Sequence, residues 1–407
     1  MFAESAPVAP TLDLFGRDFV ENPYPAYAAM RDREPYFDES ARSWVLTRYS
    51  DIQPVLRSPH FSQAGFAERI ERALGKGPLT ECLGQWLLFR DPPHHARLRA
   101  LASQAFTPGA VERLRETIQR TVDDLLSQTR PVGRMDVIAD LAYPLPVLVI
   151  CALLGVPAAD RGGFAAWSAT LAESLDALST HEVQIIRRGN AAVAGLDAYF
   201  RDLVSHRRGA LGDDLLSELI VARYGADRLT EDELIATCIL LFFAGHETTV
   251  NLIGNGLLAL LRHPRELQRL LDDPHLIGNA VEEILRFDSP VQRTARTLEH
   301  DLWIGGQRAQ RGQRVMLLLG AANRDPQRFA EADRLDIARS DAKHHLSFGG
   351  GIHYCVGATL ARLEAQIAIE TLLRRLPGLR LVDATPSWRH TFLLRGLRSL
   401  PVTFTAH

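Results

Sequence analysis

The chain has 407 residues, enough for two or three domains, with 46% hydrophobic residues and a formal net charge of −3. Charges are scattered without long runs of one sign, which gives no footprint for nucleic acid. Four cysteines, Cys82, Cys151, Cys238 and Cys355, are far apart; they offer no disulfide framework and fit a reducing cytoplasm. Residues 1–10 lack the basic start and apolar core of a secretory signal. The best membrane candidate, 145–156, is bracketed by prolines and shorter than the ~20 residues a span needs, so no membrane association is expected.

Residues 1–14 read as a loose arm. Asn22-Pro23-Tyr24-Pro25 punctuates the chain before a short helix over 26–32. The β-prone run 43–47 predicts a strand, and 51–57 a short helix capped by Asp51. The stretch 61–89 carries Gly65, Gly75, Gly77 and Gly84 and is expected to be a long irregular binding loop. A helix opens at Asp91-Pro92-Pro93, where early proline is tolerated. His95 and Arg99 lie four apart and share a face: two donors that suit an anion, although one such pair more often marks a solvated basic face. Helices are predicted over 111–128 and 145–154. Residues 164–208 are helical in tendency, interrupted at Gly189 and Gly195, and Asp213-Asp214 starts another short helix.

Thr230-Glu231-Asp232-Glu233 is a capping box. It opens a helix over 234–261, apolar nearly all round and therefore buried. Its middle, Ala244-Gly245-His246-Glu247-Thr248-Thr249, breaks the pattern. A glycine and a glutamate are costly in a buried helix, and Thr248 can bond back to the carbonyl of Ala244 and open the helix locally. Glu247 is either paired with a buried base or used in chemistry. A helix over 279–287 puts Glu283 and Arg286 on one face, by itself a commonplace surface pair. Arg293 binds substrate or is solvated. Strand-like runs at 302–304, 314–319 and 398–405 are too few for a major sheet, so the fold class is mainly α with a small β region.

The glycine-rich run 348–357 places Cys355 just before a helix predicted over 358–376. Backbone amides and the helix dipole there stabilise a thiolate. Four readings follow: a buried structural cysteine, a nucleophile with His353 as base, zinc held by Cys355, His353, His345 and His344, or a thiolate ligand to haem iron. The zinc set is weak without a second nearby cysteine.

The pattern Phe348-x-x-Gly351-x-His353-x-Cys355-x-Gly357 resembles the haem-binding loop of the cytochromes P-450, and the motifs above follow in that family's order from Asn22 onward. The resemblance implies one domain over 1–407, with 1–14 a flexible arm. Its fold would be a triangular-prism helical domain that holds haem between the central helix and the cysteine loop. It implies haem b (iron protoporphyrin IX), with Cys355 as iron ligand and His353 and Gly357 beside it. Glycines would let the loop approach the porphyrin. His95, Arg99 and Arg296 would bind its propionates, and Arg97 could dock an acidic redox partner. Glu247 and Thr248 match the acid–alcohol pair that relays protons for dioxygen cleavage. Glu283, Arg286 and Arg339 match a buried brace under the cysteine loop, and 164–208 a lid. Trp86, Leu87, Leu88, Leu240, Ala244, Val291 and Leu393 become pocket candidates.

The function implied is a cytoplasmic, monomeric monooxygenase of secondary metabolism. It would hydroxylate or epoxidise a hydrophobic small molecule with electrons from a separate ferredoxin and ferredoxin reductase. Macrolides and other polyketides, terpenoids, fatty acids and steroids all remain open as substrates. The competing classes are a cysteine-dependent hydrolase using Cys355 and His353, and a non-catalytic haem or ligand carrier.

Overall fold

The computed structural model describes residues 16–33, 35–129, 132–180, 182–223 and 227–406; the expected arm at 1–14 lies outside them. One helix, Glu231–Arg262, organises the rest. Its start is the capping box read from the sequence: the Thr230 hydroxyl accepts from the Glu233 amide, and the Glu233 carboxylate accepts from the Thr230 amide. The helix runs unbroken through 244–249. Thr248 does donate to the Ala244 carbonyl, at 3.1 Å, yet the turn does not open.

This central helix joins two apolar cores. Its first part, from Leu234 to Phe243, packs into a cluster shared with helices Pro78–Gln85, Phe164–Thr180 and Val183–Gly209. Its last part, from Val250 to Leu260, packs into a second cluster with Arg115–Thr129, Ile277–Phe287 and Ala358–Arg375. Residues 244–249 belong to neither. Among the described residues it is the one helix long and apolar enough to cross a membrane, and it is mostly buried inside the protein. The shorter segment singled out from the sequence is the buried helix Pro144–Leu153.

Three local expectations are corrected. Residues 61–89 are not an irregular loop: they hold helices Phe66–Leu74 and Pro78–Gln85 and a 3-10 turn at Leu87–Phe89. Gly65 and Gly75, at φ 69° and 76°, cap the ends of the first helix rather than weakening its interior. Gly189 and Gly195 do not interrupt 183–209 either. A Cβ on Gly189 would stand 2.3 Å from Ser174 Oγ, and one on Gly195 3.0 Å from the Trp167 ring. They are the places where two long helices touch closely. Finally, the helix Tyr49–Arg57 begins before Asp51, and its first amide donates to Asp325 at 2.8 Å; a distant carboxylate supplies the cap.

The β structure is small but not trivial. A five-stranded sheet runs in the order Tyr36–Asp38, Ser43–Leu46, Arg314–Leu318, Arg293–Leu298, Phe61–Ser62. Only Ser43–Leu46 and Arg314–Leu318 are parallel. Arg293 pairs with Leu318 and Thr297 with Arg314, while Arg296 pairs with Val315. Side chains alternate along a strand and cross-strand partners share a face. Arg293 and Arg314 therefore leave one face of the sheet and Arg296 the other.

Candidate active site

The loop carrying Cys355 is folded back on itself, with the Cys355 amide donating to the Phe348 carbonyl at 3.0 Å. Gly351 has φ 63°, and a Cβ there would lie 2.3 Å from the Leu56 carbonyl oxygen. Packing against the helix Tyr49–Arg57 is thus reason enough for this glycine. Gly357, the N-cap of Ala358–Arg375, has open space where its Cβ would be. The Cys355 thiol is open to a cavity and enclosed by protein elsewhere. Burial pushes its pKa up, offset in part by the Gly357 amide, Arg99 and Arg362. The helix entrance expected to favour the thiolate does so, but less than burial opposes it; a metal ion in front of the sulfur would deprotonate it.

Two rival chemistries for this cysteine lose their partners. No hydrogen bond joins His353 to Cys355; its ring lies 4.3 Å from that of His95. Burial, then the cations Arg296, His95 and Arg99, drive the His353 pKa down to about 3. His345 is taken by Glu282, at 3.1 Å. Among the described residues no group of three His, Cys, Asp or Glu is placed to hold a metal ion.

The cavity measures about 1000 Å³ and separates Cys355, Gly357 and Leu360 from Leu240, Ala244 and Thr248 of the central helix. Trp86, Leu87, Leu88, Leu240, Ala244, Val291 and Leu393 line it, whereas Gln292 and Phe392, within the runs 290–294 and 392–394 that the family resemblance also places at the pocket, do not. Among the described residues of the expected lid helices, Leu175 lines the cavity. Segment 392–394 is held against 290–292 by the Gln292 amide on Leu393 O, at 3.0 Å, and the Arg395 amide on Pro290 O, at 2.8 Å.

Near Cys355 the wall is cationic and unsatisfied. His95 Nε2 and His353 Nδ1 are buried without a hydrogen-bond partner. Arg296 reaches only Thr294 Oγ1, at 3.2 Å, and the Ala295 carbonyl, at 2.8 Å; burial brings its pKa down to about 10. No carboxylate among the described residues pairs with Arg99. Arg97, one turn away from the cavity wall, is instead occupied by Glu233 and, at 3.5 Å, Asp227, so it is not a free docking cation.

On the far wall, Glu247 and Thr248 do not meet. Neighbours on a helix point about 100° apart. Thr248 faces the cavity, whereas Glu247 is fully buried behind it. Arg389 donates to Glu247 at 2.8 Å, and Ser168 at 3.4 Å. His246 Nδ1 donates to Phe242 O at 2.7 Å, and its Nε2 meets Ser168 and lies 3.5 Å from Glu247. Burial raises the Glu247 pKa, but His246 and Arg389 outweigh it and hold the carboxyl below its ordinary value. Neither Arg389 nor Ser168 is linked to Glu247 by any local sequence signal, since both lie far from it along the chain.

A family model described as Cytochrome P450 matches residues 37–377. The chain belongs to the cytochrome P450 family. It is 43% identical to a biotin biosynthesis cytochrome P450 of Bacillus subtilis, over 95% of this chain and 97% of that one. It is 40% identical to the cytochrome P450 monooxygenase PikC of Streptomyces venezuelae, over 97% and 94% of the two chains. The crystal structure of P450BioI with hexadec-9Z-enoic acid ligated acyl carrier protein superposes with a TM-score of 0.88 at 41% identity, covering 95% and 99%. The fold is therefore the P450 fold and the protein an oxidoreductase, a P450 monooxygenase, whose family carries thiolate-ligated haem. The residues fit that group: a cavity-facing sulfur, a glycine beside it without a Cβ to clash, and orphaned histidine nitrogens and arginines that two propionates would satisfy.

The P450's expected brace is fully buried, not a surface pair. Arg286 donates to both oxygens of Glu283, at 2.7 and 2.8 Å, and to the carbonyls of Asn323, Ala332 and Arg334. Arg339 adds a bond to Glu283 at 3.1 Å and three to carbonyls. These bonds tie the helix Ile277–Phe287 to segment 323–339. The link to the cysteine loop comes from the residue before, Glu282, which the sequence reading passed over. It accepts from Arg362 at 2.5 and 3.1 Å and contacts His345, so it clamps both flanks of the loop.

Proposed function

We propose that the protein inserts one oxygen atom of dioxygen into a hydrophobic small molecule, by hydroxylation or epoxidation, in secondary metabolism. The observation that supports this reading is that Cys355 and Thr248 line one cavity. When bound, a thiolate-ligated haem b supplies the activation of dioxygen and the oxygen transfer. Cys355 would ligate it from the loop, and His95, Arg99, Arg296 and His353 would take its propionates. Leu240, Ala244, Val291 and Leu393 would exclude water and hold the substrate.

In this reading the chain's own chemistry is proton handling. Thr248 presents its hydroxyl to the cavity while anchored to Ala244 O. Glu247 stays ionised behind the wall and hands on protons when its carboxylate exchanges Arg389 for the Thr248 side. Arg389 is partly exposed and connects the carboxylate to solvent. A cavity-facing alcohol backed by a buried acid speaks for dioxygen as oxidant rather than preformed peroxide, and against a mere carrier. Electrons would come from separate ferredoxin and reductase proteins, as the family implies. The unpaired cysteines suit a reducing cytoplasm.

The purified protein should be red, and its reduced form should bind carbon monoxide with the far-red-shifted Soret band of thiolate ligation. A band typical of histidine-ligated haem would sink the assignment of Cys355. Thr248→Ala should leave that band intact yet uncouple oxygen consumption from product; unaltered coupling would remove Thr248 from the relay.

A further inference from the structure

Among the described residues, every acidic or basic side chain of full charge that lines the cavity is an arginine; no aspartate, glutamate or lysine does. Arg99 and Arg296 stand beside the cysteine loop. The others, Arg42, Arg69, Arg72, Arg293, Arg311 and Arg314, lie where the sheet and the helix Phe66–Leu74 border the same space. Arg314 is the decisive one. Its Nε is buried without a hydrogen-bond partner, and among the described residues no carboxylate pairs with its guanidinium. Arg69 reaches only neutral oxygens, the Ala64 carbonyl at 3.1 Å and Thr297 Oγ1 at 3.3 Å. Arg293 rests over the Phe392 ring, 4.6 Å from its centroid.

These cations depress one another. Burial and then Arg293 bring the Arg314 pKa down to about 10, and burial, Arg314 and Arg72 lower that of Arg69. Elsewhere the protein matches its enclosed cations; Arg395, more deeply buried, donates to Asp288 at 2.7 Å. A half-buried, unmatched guanidinium is unfavourable, and an anionic ligand would offset that cost. The cofactor is not that ligand, because Arg314 and Arg293 leave the opposite sheet face from Arg296.

We propose that this end of the cavity is a head-group subsite: the substrate is an amphiphile whose anionic head is held by Arg314 and Arg69. Its apolar chain runs past the stacked rings of Phe66 and Phe89, 3.6 Å apart, and past Leu87 toward Thr248 and Cys355. The oxidised carbon then lies far from the head. The head is a free carboxylate or the phosphodiester of a pantetheine-tethered acyl chain, which share a delocalised oxyanion that guanidinium binds in a forked geometry. The proposal rests on the monooxygenase reading and specifies its substrate class.

The test titrates haem-loaded protein with dodecanoate, methyl dodecanoate and dodecanoyl-phosphopantetheine, following the spin-state shift. At least one charged probe should bind about ten- to a hundredfold tighter than the ester, the span of one charge-assisted contact. Arg314→Gln should bring that ratio to within about twofold with haem content unchanged, and Arg314→Lys should restore part of it. Whichever charged probe shows the Arg314-dependent gain names the source of the anion. Equal binding of acid, conjugate and ester by the wild type, a preference that survives Arg314→Gln, or haem loss in that variant would each overturn the subsite. None of those results touches the thiolate signature in carbon monoxide, whose absence would instead sink the underlying function.

Discussion

Arg286 and Arg314 are both enclosed arginines, and they have opposite surroundings. Arg286 spends every nitrogen on a protein oxygen: Glu283 twice, and the carbonyls of Asn323, Ala332 and Arg334. Arg314 faces a cavity with its Nε unmatched. The difference separates a residue that builds the molecule from one that waits for something outside it. The same contrast holds along the cysteine loop, where Glu282 is saturated by Arg362 and His345 while His95 and His353 keep buried nitrogens without partners. Burial therefore does not distinguish structural cations from binding cations; saturation does.

The saturated side should break hardest. Glu283→Gln leaves Arg286 and Arg339 without their buried counter-charge, and urea unfolding should show a loss of about 3–5 kcal/mol. An unshifted midpoint would mean the network is ornamental. On the unsatisfied side, Arg296→Gln should hardly move that midpoint but should speed haem transfer to an acceptor protein about ten- to a hundredfold, the equivalent of ~1.5–3 kcal/mol. Equal haem retention would detach Arg296 from the propionates.

A smaller effect follows from acid. Burial raises the Glu282 pKa, but hydrogen bonds from His345 and Arg362 outweigh it and hold the group at about 2, below its ordinary 4.5. A carboxylate depressed in the folded state stabilises it above the unfolded value and loses that contribution as pH falls toward the folded one. Stability should therefore fall between pH 4.5 and 2, by about 1–2 kcal/mol once solvent screening is allowed for, and Glu282→Gln should flatten that slope. The smallest change is expected at Gly357→Ala. Its Cβ meets no protein atom within 4 Å, so the fold should shift by less than about 0.5 kcal/mol, and any loss should appear only in haem binding.

Periodicity and capping chemistry were enough to place the central helix, its Thr230 box and the Thr248 bond to Ala244, because those are local rules. The cysteine loop was legible through its spacing, and Trp86, Leu87, Leu88, Leu240, Ala244, Val291 and Leu393, inferred from resemblance, line the cavity, while Gln292 and Phe392 do not. What escaped the sequence was pairing across the fold. Arg389 lies 142 positions from Glu247, and no pattern in either segment announces the other. Glu282 was overlooked beside Glu283 for the same reason: which of two adjacent acids meets its partners depends on packing. Glycines misled in both directions, since Gly189 and Gly195 serve helix contact and Gly65 and Gly75 serve termini.

The central helix carries His246, Glu247, Thr248 and Thr249 together on a stretch that neither apolar cluster claims. Alterations between Ala244 and Thr249 can accordingly retune acid–base behaviour while both hydrophobic bodies stay whole, so the seam is where this scaffold can diversify its reaction without risking its integrity.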